Sequence, residues 1–426
     1  MNARLILLLI IVTAVCAVNN GVAAEGLRAG VATVETTPKD PVRMSGYASR
    51  KGLSTGVHDP LSVRVVAFEN AGQRLVMVST DVIGFYAGTA EDFRSAICRK
   101  HKLEAGELFL CGTHTHAVPT LTLEKKEGYA SNFEYTRELR RTILNMVGEA
   151  LEELKPARLG IGSGSCPIGS NRRQLVFNRD PNGEIRLGRN PYGVTDKEVL
   201  VLKVAEQGGE TAAVIFDYAT HGTSLGGKNY TISGDVLGLA EQFVEKIYGG
   251  KLIAPAFAGA SGNIDPWFRV LPQFDQREGW VPEPVLLGTF LGEEVVHVCE
   301  GIKADQSEAA IASAFVTLDL PGKQSDEEEE DAEAESPTLN LTVARLGEVG
   351  FVGLGAEVLT EIGMAIKEGS PYEHTFVITH CNGAAGYLAP KELYVEGGYE
   401  ISSSRFGPEA SQIVVRKAVE LLHELR

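Results

Sequence analysis

Short apolar, β-branched runs recur along this chain, and each ends in a polar, often glycine-rich loop carrying an ionisable residue. Leu75 to Ser79 leads to Thr80-Asp81, Leu108 to Cys111 to Gly112-Thr113-His114-Thr115-His116, and Ala213 to Phe216 to Asp217 and His221. Leu252 to Phe257 leads to Gly259-Ala260-Ser261-Gly262-Asn263-Ile264-Asp265, Val349 to Leu354 to Gly355-Ala356-Glu357, and Thr375 to Thr379 to His380-Cys381-Asn382. Runs of this length bounded by turn chemistry predict buried strands. Loops at the carboxyl ends of strands in open α/β sheets converge on one crevice, so the six loops predict one site.

Helical periodicity fills the intervals at Phe133 to Leu154, Val236 to Tyr248, Val285 to Ile302, Val358 to Lys367 and Glu409 to Leu425. Ser233-Gly234-Asp235 supplies an N-cap signal for the second, and Pro408 suits the first turn of the last. The pattern predicts an α/β fold: a mixed β-sheet core, as one sheet or two packed sheets, flanked by helices, with the active site at the strand C-terminal ends. No internal repeat is visible.

Composition narrows the class. The 426 residues are 44% hydrophobic and 23% charged, which suits a globular protein and excludes collagen, coiled coil and wholesale disorder. The net charge of −16 argues against nucleic acid as a partner, because a phosphate backbone requires a basic surface. Eight acids and no base lie between Gln324 and Pro337. Predicted strands flank this run (Ser313 to Leu320 and Thr338 to Leu346), so residues 324–337 are expected to be a flexible, hairpin-like excursion within one domain.

At the N-terminus, Arg4, an apolar run from Leu5 to Val18 and then Gly21-Val22-Ala23-Ala24 form the pattern of a secretory signal over residues 1–24, cleaved after Ala24. The expectation is a secreted or periplasmic protein with one domain over 25–426 and no transmembrane segment in the mature chain. Cys98, Cys111, Cys166, Cys299 and Cys381 are odd in number and lack CxxC spacing, which excludes a cysteine zinc knuckle and leaves room for at most a pair or two of bridges.

The candidate chemistry gathers at the strand ends. An HxH pair after a buried strand places His114 and His116 on one side of an extended segment. Two imidazoles do not complete a zinc site, but His221 also follows a buried strand, and these are three of only nine histidines. Glu357 is the natural carboxylate, expected at the start of a helix. Gly222-Thr223-Ser224-Leu225-Gly226 matches G-x-S-x-G, yet a nucleophile elbow needs a helix directly after the serine, and Gly226-Gly227-Lys228-Asn229-Tyr230 intervenes. Asp265 before Pro266 suits either an Asx turn or a contact to metal or substrate. Gly160, Gly162, Gly164 and Gly353, Gly355 lack a dinucleotide fingerprint.

The His114-Thr115-His116 and His221 segments, Gly355-Ala356-Glu357 and Asn382 to Tyr387, in this order, resemble the catalytic domain of neutral/alkaline non-lysosomal ceramidases. Met44-Ser45-Gly46-Tyr47, Gly56-Val57-His58, Asn171-Arg172-Arg173 and Gly398-Tyr399-Glu400 extend the resemblance from Leu27 to Arg426. It implies one zinc ion held by His114, His221, Glu357 and Tyr387. It further implies His116 as the proton shuttle between the attacking water and the leaving amine, Tyr399 at the oxyanion, Arg172 at the substrate, and Gly46 and His58 as substrate-binding positions, beside which Asp265 is a substrate-binding candidate from its own place at a strand end. Asp265 stands where family members commonly carry a serine, which favours metal-activated water over a serine nucleophile. The expectation is the catalytic domain alone, without the immunoglobulin-like C-terminal domain of the larger ceramidases.

The function so implied is an exported zinc amidohydrolase acting on an N-acyl amide such as N-acylsphingosine. A metal-dependent esterase or phosphoester hydrolase, and a non-catalytic metal- or ligand-binding homologue, are the alternatives. An acidic body should be repelled by anionic membranes, so a lipid substrate implies a local apolar entrance.

Overall fold

The computed structural model describes residues 26–177, 183–267, 283–323 and 336–426. The expected signal segment, residues 1–24 with its cleavage boundary, and residues 324–335 of the acidic run lie outside the described residues. Eight strands, β1 (Arg28–Glu35), β2 (Ser62–Asn70), β3 (Gln73–Thr80), β4 (Leu108–Gly112), β5 (Lys155–Ser165), β6 (Glu198–Glu206), β7 (Thr211–Tyr218) and β8 (Ala256–Ala258), form one mixed sheet. Their order is β8-β7-β6-β5-β1-β2-β3-β4, parallel only at the β7–β8 and β3–β4 pairs.

The seam between β1 and β5 is confined to Arg28 opposite Pro156 and Ala29 opposite Lys155, so two four-stranded halves meet there. Their far ends approach each other, since Ser79 Oγ on β3 donates to the Ala256 carbonyl on β8 at 2.7 Å. A second sheet, β9 (Ile311–Asp319), β10 (Thr338–Leu346), β11 (Val349–Leu354) and β12 (His374–Ile378), closes the core, with β11 and β12 parallel. β9 and β10 pair antiparallel from Ile311 opposite Leu346 to Asp319 opposite Thr338, which is the hairpin expected around the acidic run.

Burial on both faces of these strands explains their nearly unbroken apolar sequences. In β4, Phe109 and Cys111 face the central core with Met77, Leu202, Ile215, Phe351 and Phe376, while Leu108 and Leu110 face outward to a second core. That outer core is covered by α1 (Thr89–His101) and α2 (Ala130–Glu152). Helices α3 (Asp235–Ile247) and α4 (Glu283–Gly301) cover β6 to β8, and α5 (Thr360–Gly369) and α6 (Ala410–Leu425) cover the second sheet. Each fully buried large side chain contributes about 1.5–3 kcal/mol to holding these layers.

Several local expectations are corrected. Leu252 to Phe257 shortens to β8, preceded by a single bridge between Ala213 and Ile253. Glu357 is not at a helix start: it lies in a two-residue strand, Glu357–Val358, and α5 begins at Thr360. Asp235 is the first residue of α3, not its cap, and its carboxylate is drawn sideways to the Ser224 hydroxyl at 2.6 Å. The alternating glycines of β5 are there for packing: a Cβ at Gly160, Gly162 or Gly164 would strike the last turns of α4 and the residues just beyond it.

Candidate metal centre

All six predicted strand-end loops converge. The β4 loop turns through a left-handed His114 (φ 60°), whose backbone N–H donates to the Val82 carbonyl in the loop after β3. The same loop offers the Ile83 carbonyl to His114 Nδ1 at 2.6 Å. His221, after β7, donates its backbone N–H to the Ile264 carbonyl, and its Nδ1 is 2.8 Å from the Ser261 carbonyl in the loop after β8. A parallel bridge between Thr115 and Gly222 zips the two histidine segments together. The loop after β11 supplies Glu357, and the loop after β12 supplies His380.

The side chains meet at one buried point. Nε2 of His116 is 3.3 Å from Nε2 of His114, as the HxH spacing predicts. His114, His116 and His221 each offer a ligand atom within 4.8 Å of the others, a geometry that can hold a metal ion. Glu357 Oε2 lies 3.6 Å from His114 Nε2 and 3.7 Å from His221 Nε2. That oxygen is buried without a hydrogen-bond partner, whereas Oε1 accepts from the Tyr86 hydroxyl at 2.8 Å. Tyr387 stands opposite Glu357 in a short parallel pairing, Glu357–Val358 against Tyr387–Leu388, and its Oη accepts from Arg172 at 3.1 Å.

A divalent cation fits this donor set. Backbone carbonyls occupy Nδ1 of His114 and His221 and so fix the tautomer that turns each Nε2 lone pair inward. A buried carboxylate oxygen with no partner costs about 1–3 kcal/mol or more unless a cation joins it. The separations of Glu357 Oε2 from His114 and His221 Nε2, 3.6 and 3.7 Å, are close to the edge of a tetrahedron whose ligand bonds are about 2.0–2.1 Å. Burial pushes His114 and His116 well below the ordinary histidine range and lowers His221 as well. Burial also acts to raise the Glu357 carboxyl, but the flanking histidines outweigh it and hold it well below the carboxylate range. Neutral imidazoles around an ionised carboxylate are the protonation states that metal binding requires.

Arg172 forms the wall beside this point. Its guanidinium donates to Glu400 Oε1 (2.8 Å), Asp265 Oδ1 (3.3 Å) and Tyr387 Oη (3.1 Å), and it lies 3.2 Å from His221 Nε2. Asp265 therefore belongs to the site and also accepts from Thr223 at 3.2 Å. Tyr399 is 45% exposed and packs edge-on against Tyr387, which puts it at the rim. Gly46 has φ 97°, and a Cβ there would lie 2.6 Å from the His116 ring, so only glycine permits this approach. His58 is engaged elsewhere: its Nδ1 is 2.6 Å from Asp59, and that ion pair holds the imidazole above its ordinary pKa.

Four site residues are absent from the sequence-level candidates. Tyr86 and Glu400 anchor Glu357 and Arg172, and Arg50 donates to the carbonyls of His116 and Ser45. The His380 ring stacks on His114 at 3.8 Å and 11°, and burial lowers its pKa to about 4. The sixth strand end is the available signal for His380 and the Gly398-Tyr399-Glu400 segment the one for Glu400; nothing local marks Tyr86 or Arg50.

Residues 28–263 match the family model for the N-terminal region of neutral/alkaline non-lysosomal ceramidases. Neutral ceramidase 1 of Arabidopsis thaliana is 30% identical over 226 residues, 50% of this chain and 28% of that protein. The neutral ceramidase of Mycobacterium tuberculosis is 27% identical over 225 residues, 49% of this chain and 34% of that protein. The chain thus matches about a third or less of the length of these two curated relatives. The crystal structure of neutral ceramidase from Pseudomonas aeruginosa superposes with a TM-score of 0.76 at 20% identity, covering 94% of this chain and 75% of that one, and so shares the fold. With a family match over more than half its length, the chain belongs to the neutral/alkaline non-lysosomal ceramidase family.

Proposed function

We propose that this protein is an exported, zinc-dependent amidohydrolase that cleaves an N-acyl amide, N-acylsphingosine or a close relative. One observation carries the reading: the partnerless, buried Glu357 Oε2 faces the Nε2 atoms of His114 and His221, whose other ring nitrogens are tied to backbone carbonyls. In this reading His114, His221, Glu357 and Tyr387 hold the ion. Zinc at such a site supplies an acidified water and an electrophile for the amide carbonyl.

The remaining work falls to this chain's own residues. His116 differs from the two anchored histidines in that no backbone carbonyl holds its Nδ1, which suits a group that takes a proton from water and returns it to the leaving amine. In this reading Tyr399, exposed at the rim, donates to the developing oxyanion. Arg172 keeps Tyr387 Oη in the accepting role by donating to it, and Glu400 and Asp265 hold the guanidinium in place.

A lipid substrate is supported by the surroundings of Tyr399. Arg173 and Gly398 tie the Gly397–Tyr399 segment to the paired strands Gly169–Val176 and Glu184–Asn190, where Leu175 and Leu187 are exposed, as is nearby Val395. In this reading these exposed apolar groups supply the local apolar surface that a lipid substrate approaches. No helix among the described residues is long and apolar enough to cross a membrane. The ligand assignment is tested by metal analysis: His114→Ala and His221→Ala should each abolish zinc binding, and wild-type zinc content in both would refute it.

A further inference from the structure

We propose that Cys111 and Cys381 close to a disulfide when the chain folds in an oxidising medium, fastening β4 to the segment after β12 directly behind the histidine cluster. The two residues face each other in an isolated antiparallel bridge. The flanking hydrogen bonds run from Gly112 N–H to the His380 carbonyl and from Asn382 N–H to the Leu110 carbonyl, which makes Cys111 and Cys381 a non-hydrogen-bonded pair. In such pairs the Cα atoms lie about 4.5 Å apart and the side chains are closest. That spacing falls within the range of about 4.4–6.8 Å that a disulfide spans.

The surroundings favour the bond. Both side chains lie in the central core as free, buried thiols. Gly353 leaves space for the sulfurs, since a Cβ there would lie 2.5 Å from Cys381 Sγ. The remaining cysteines are placed apart, Cys98 on α1, Cys299 on α4 and Cys166 after β5.

Full burial pushes the Cys111 thiol well above its ordinary pKa, so little thiolate exists in the folded state and exchange there is slow. Closure therefore belongs to folding. The Cys111 thiolate attacks glutathione disulfide or an oxidised dithiol, forming a mixed disulfide and releasing one thiol. Cys381 then attacks the Cys111 sulfur and releases the second thiol. The oxidant takes up two electrons, and the two protons of Cys111 and Cys381 end on the released thiols.

The consequence reaches the site by short paths. Cys111 lies three residues before His114, and Cys381 follows His380, whose ring stacks on His114. The bond would also close a loop of about 270 residues and restrict the unfolded chain strongly.

The test refolds the full reduced chain in a glutathione redox buffer, alkylates it in denaturant without reductant, and maps the peptides. The expected result is a Cys111–Cys381 linked peptide with Cys98, Cys166 and Cys299 alkylated. The melting temperature should exceed that of the reductant-treated protein by about 5 °C. The Cys111→Ala/Cys381→Ala variant should melt at one temperature in both media. Refolded protein that melts cooperatively with Cys111 and Cys381 both alkylated, or bridged to other cysteines, would overturn the proposal.

Discussion

Glu357 and Tyr387 are register partners in a parallel pairing of two residues each, so two oxygen donors from distant parts of the sequence are set side by side by backbone geometry. The Glu357 N–H donates to the Gly386 carbonyl at 2.8 Å, and Gly386 can supply that carbonyl because it adopts φ 86°. The proposed metal centre would thus be assembled by short strands that continue the loops past the ends of the sheets.

Replacing Glu357 by Gln should weaken zinc binding by about 100-fold or more, because the anionic donor is lost. The metal-free variant should be less stable than wild type at neutral pH, since the folded site holds the Glu357 carboxyl well below the carboxylate range. Competition titration with a chromophoric chelator, together with calorimetry of the metal-free form, measures both effects. A Gln variant that binds zinc as wild type does would remove Glu357 from the site.

Tyr86→Phe deletes the hydroxyl that occupies Glu357 Oε1. Freed on that side, the carboxylate loses its fixed orientation, and zinc affinity should fall about 10- to 100-fold. The same titration reads this, and an unchanged dissociation constant would mean that Oε1 needs no anchor.

His116→Ala separates ligand from proton carrier. With His114, His221, Glu357 and Tyr387 intact, the variant should keep about one zinc per chain while kcat falls roughly 10²- to 10⁴-fold. Loss of the metal along with the rate would instead place His116 among the ligands, as its position 3.3 Å from His114 Nε2 also permits.

Acid should destabilise the metal-free protein through its buried histidines. The folded-state pKa of His380 is about 4 against an ordinary 6.5, so the unfolded chain takes up the proton first. Stability from this group is complete above about 6.5 and is lost as pH falls toward about 4. His114, His116 and His221, also shifted down, act in the same direction. His380→Phe keeps a ring to stack on His114 and should flatten the melting temperature against pH across that window. A slope equal to wild type would show that His380 does not titrate there.

Much of the fold was legible because buried strands advertise themselves. Val349–Leu354 and Thr338–Leu346 are strands with the expected bounds, since their apolar residues are almost all buried. Helix α1 was not legible: in Thr89–His101 only a few apolar residues, Phe93, Ala96 and Ile97 among them, face the core among many charges. β5 was masked by its glycines, which suit the approach of α4 and weaken any strand signal. In the site, His114, His116 and His221 follow strands and could be read from spacing. Tyr86, Arg50 and Glu400 could not, because their roles rest on hydrogen bonds to partners distant in sequence, such as Glu357 for Tyr86 and Arg172 for Glu400.

The central claim is tested most directly by measuring fatty acid released from N-acylsphingosine while zinc is titrated into the metal-free chain. The account predicts a rate that rises in proportion to zinc, levels at about one ion per chain and exceeds the rates on matched ester and phosphoester analogues. No fatty acid at one bound zinc, or a faster reaction on either analogue, would contradict it.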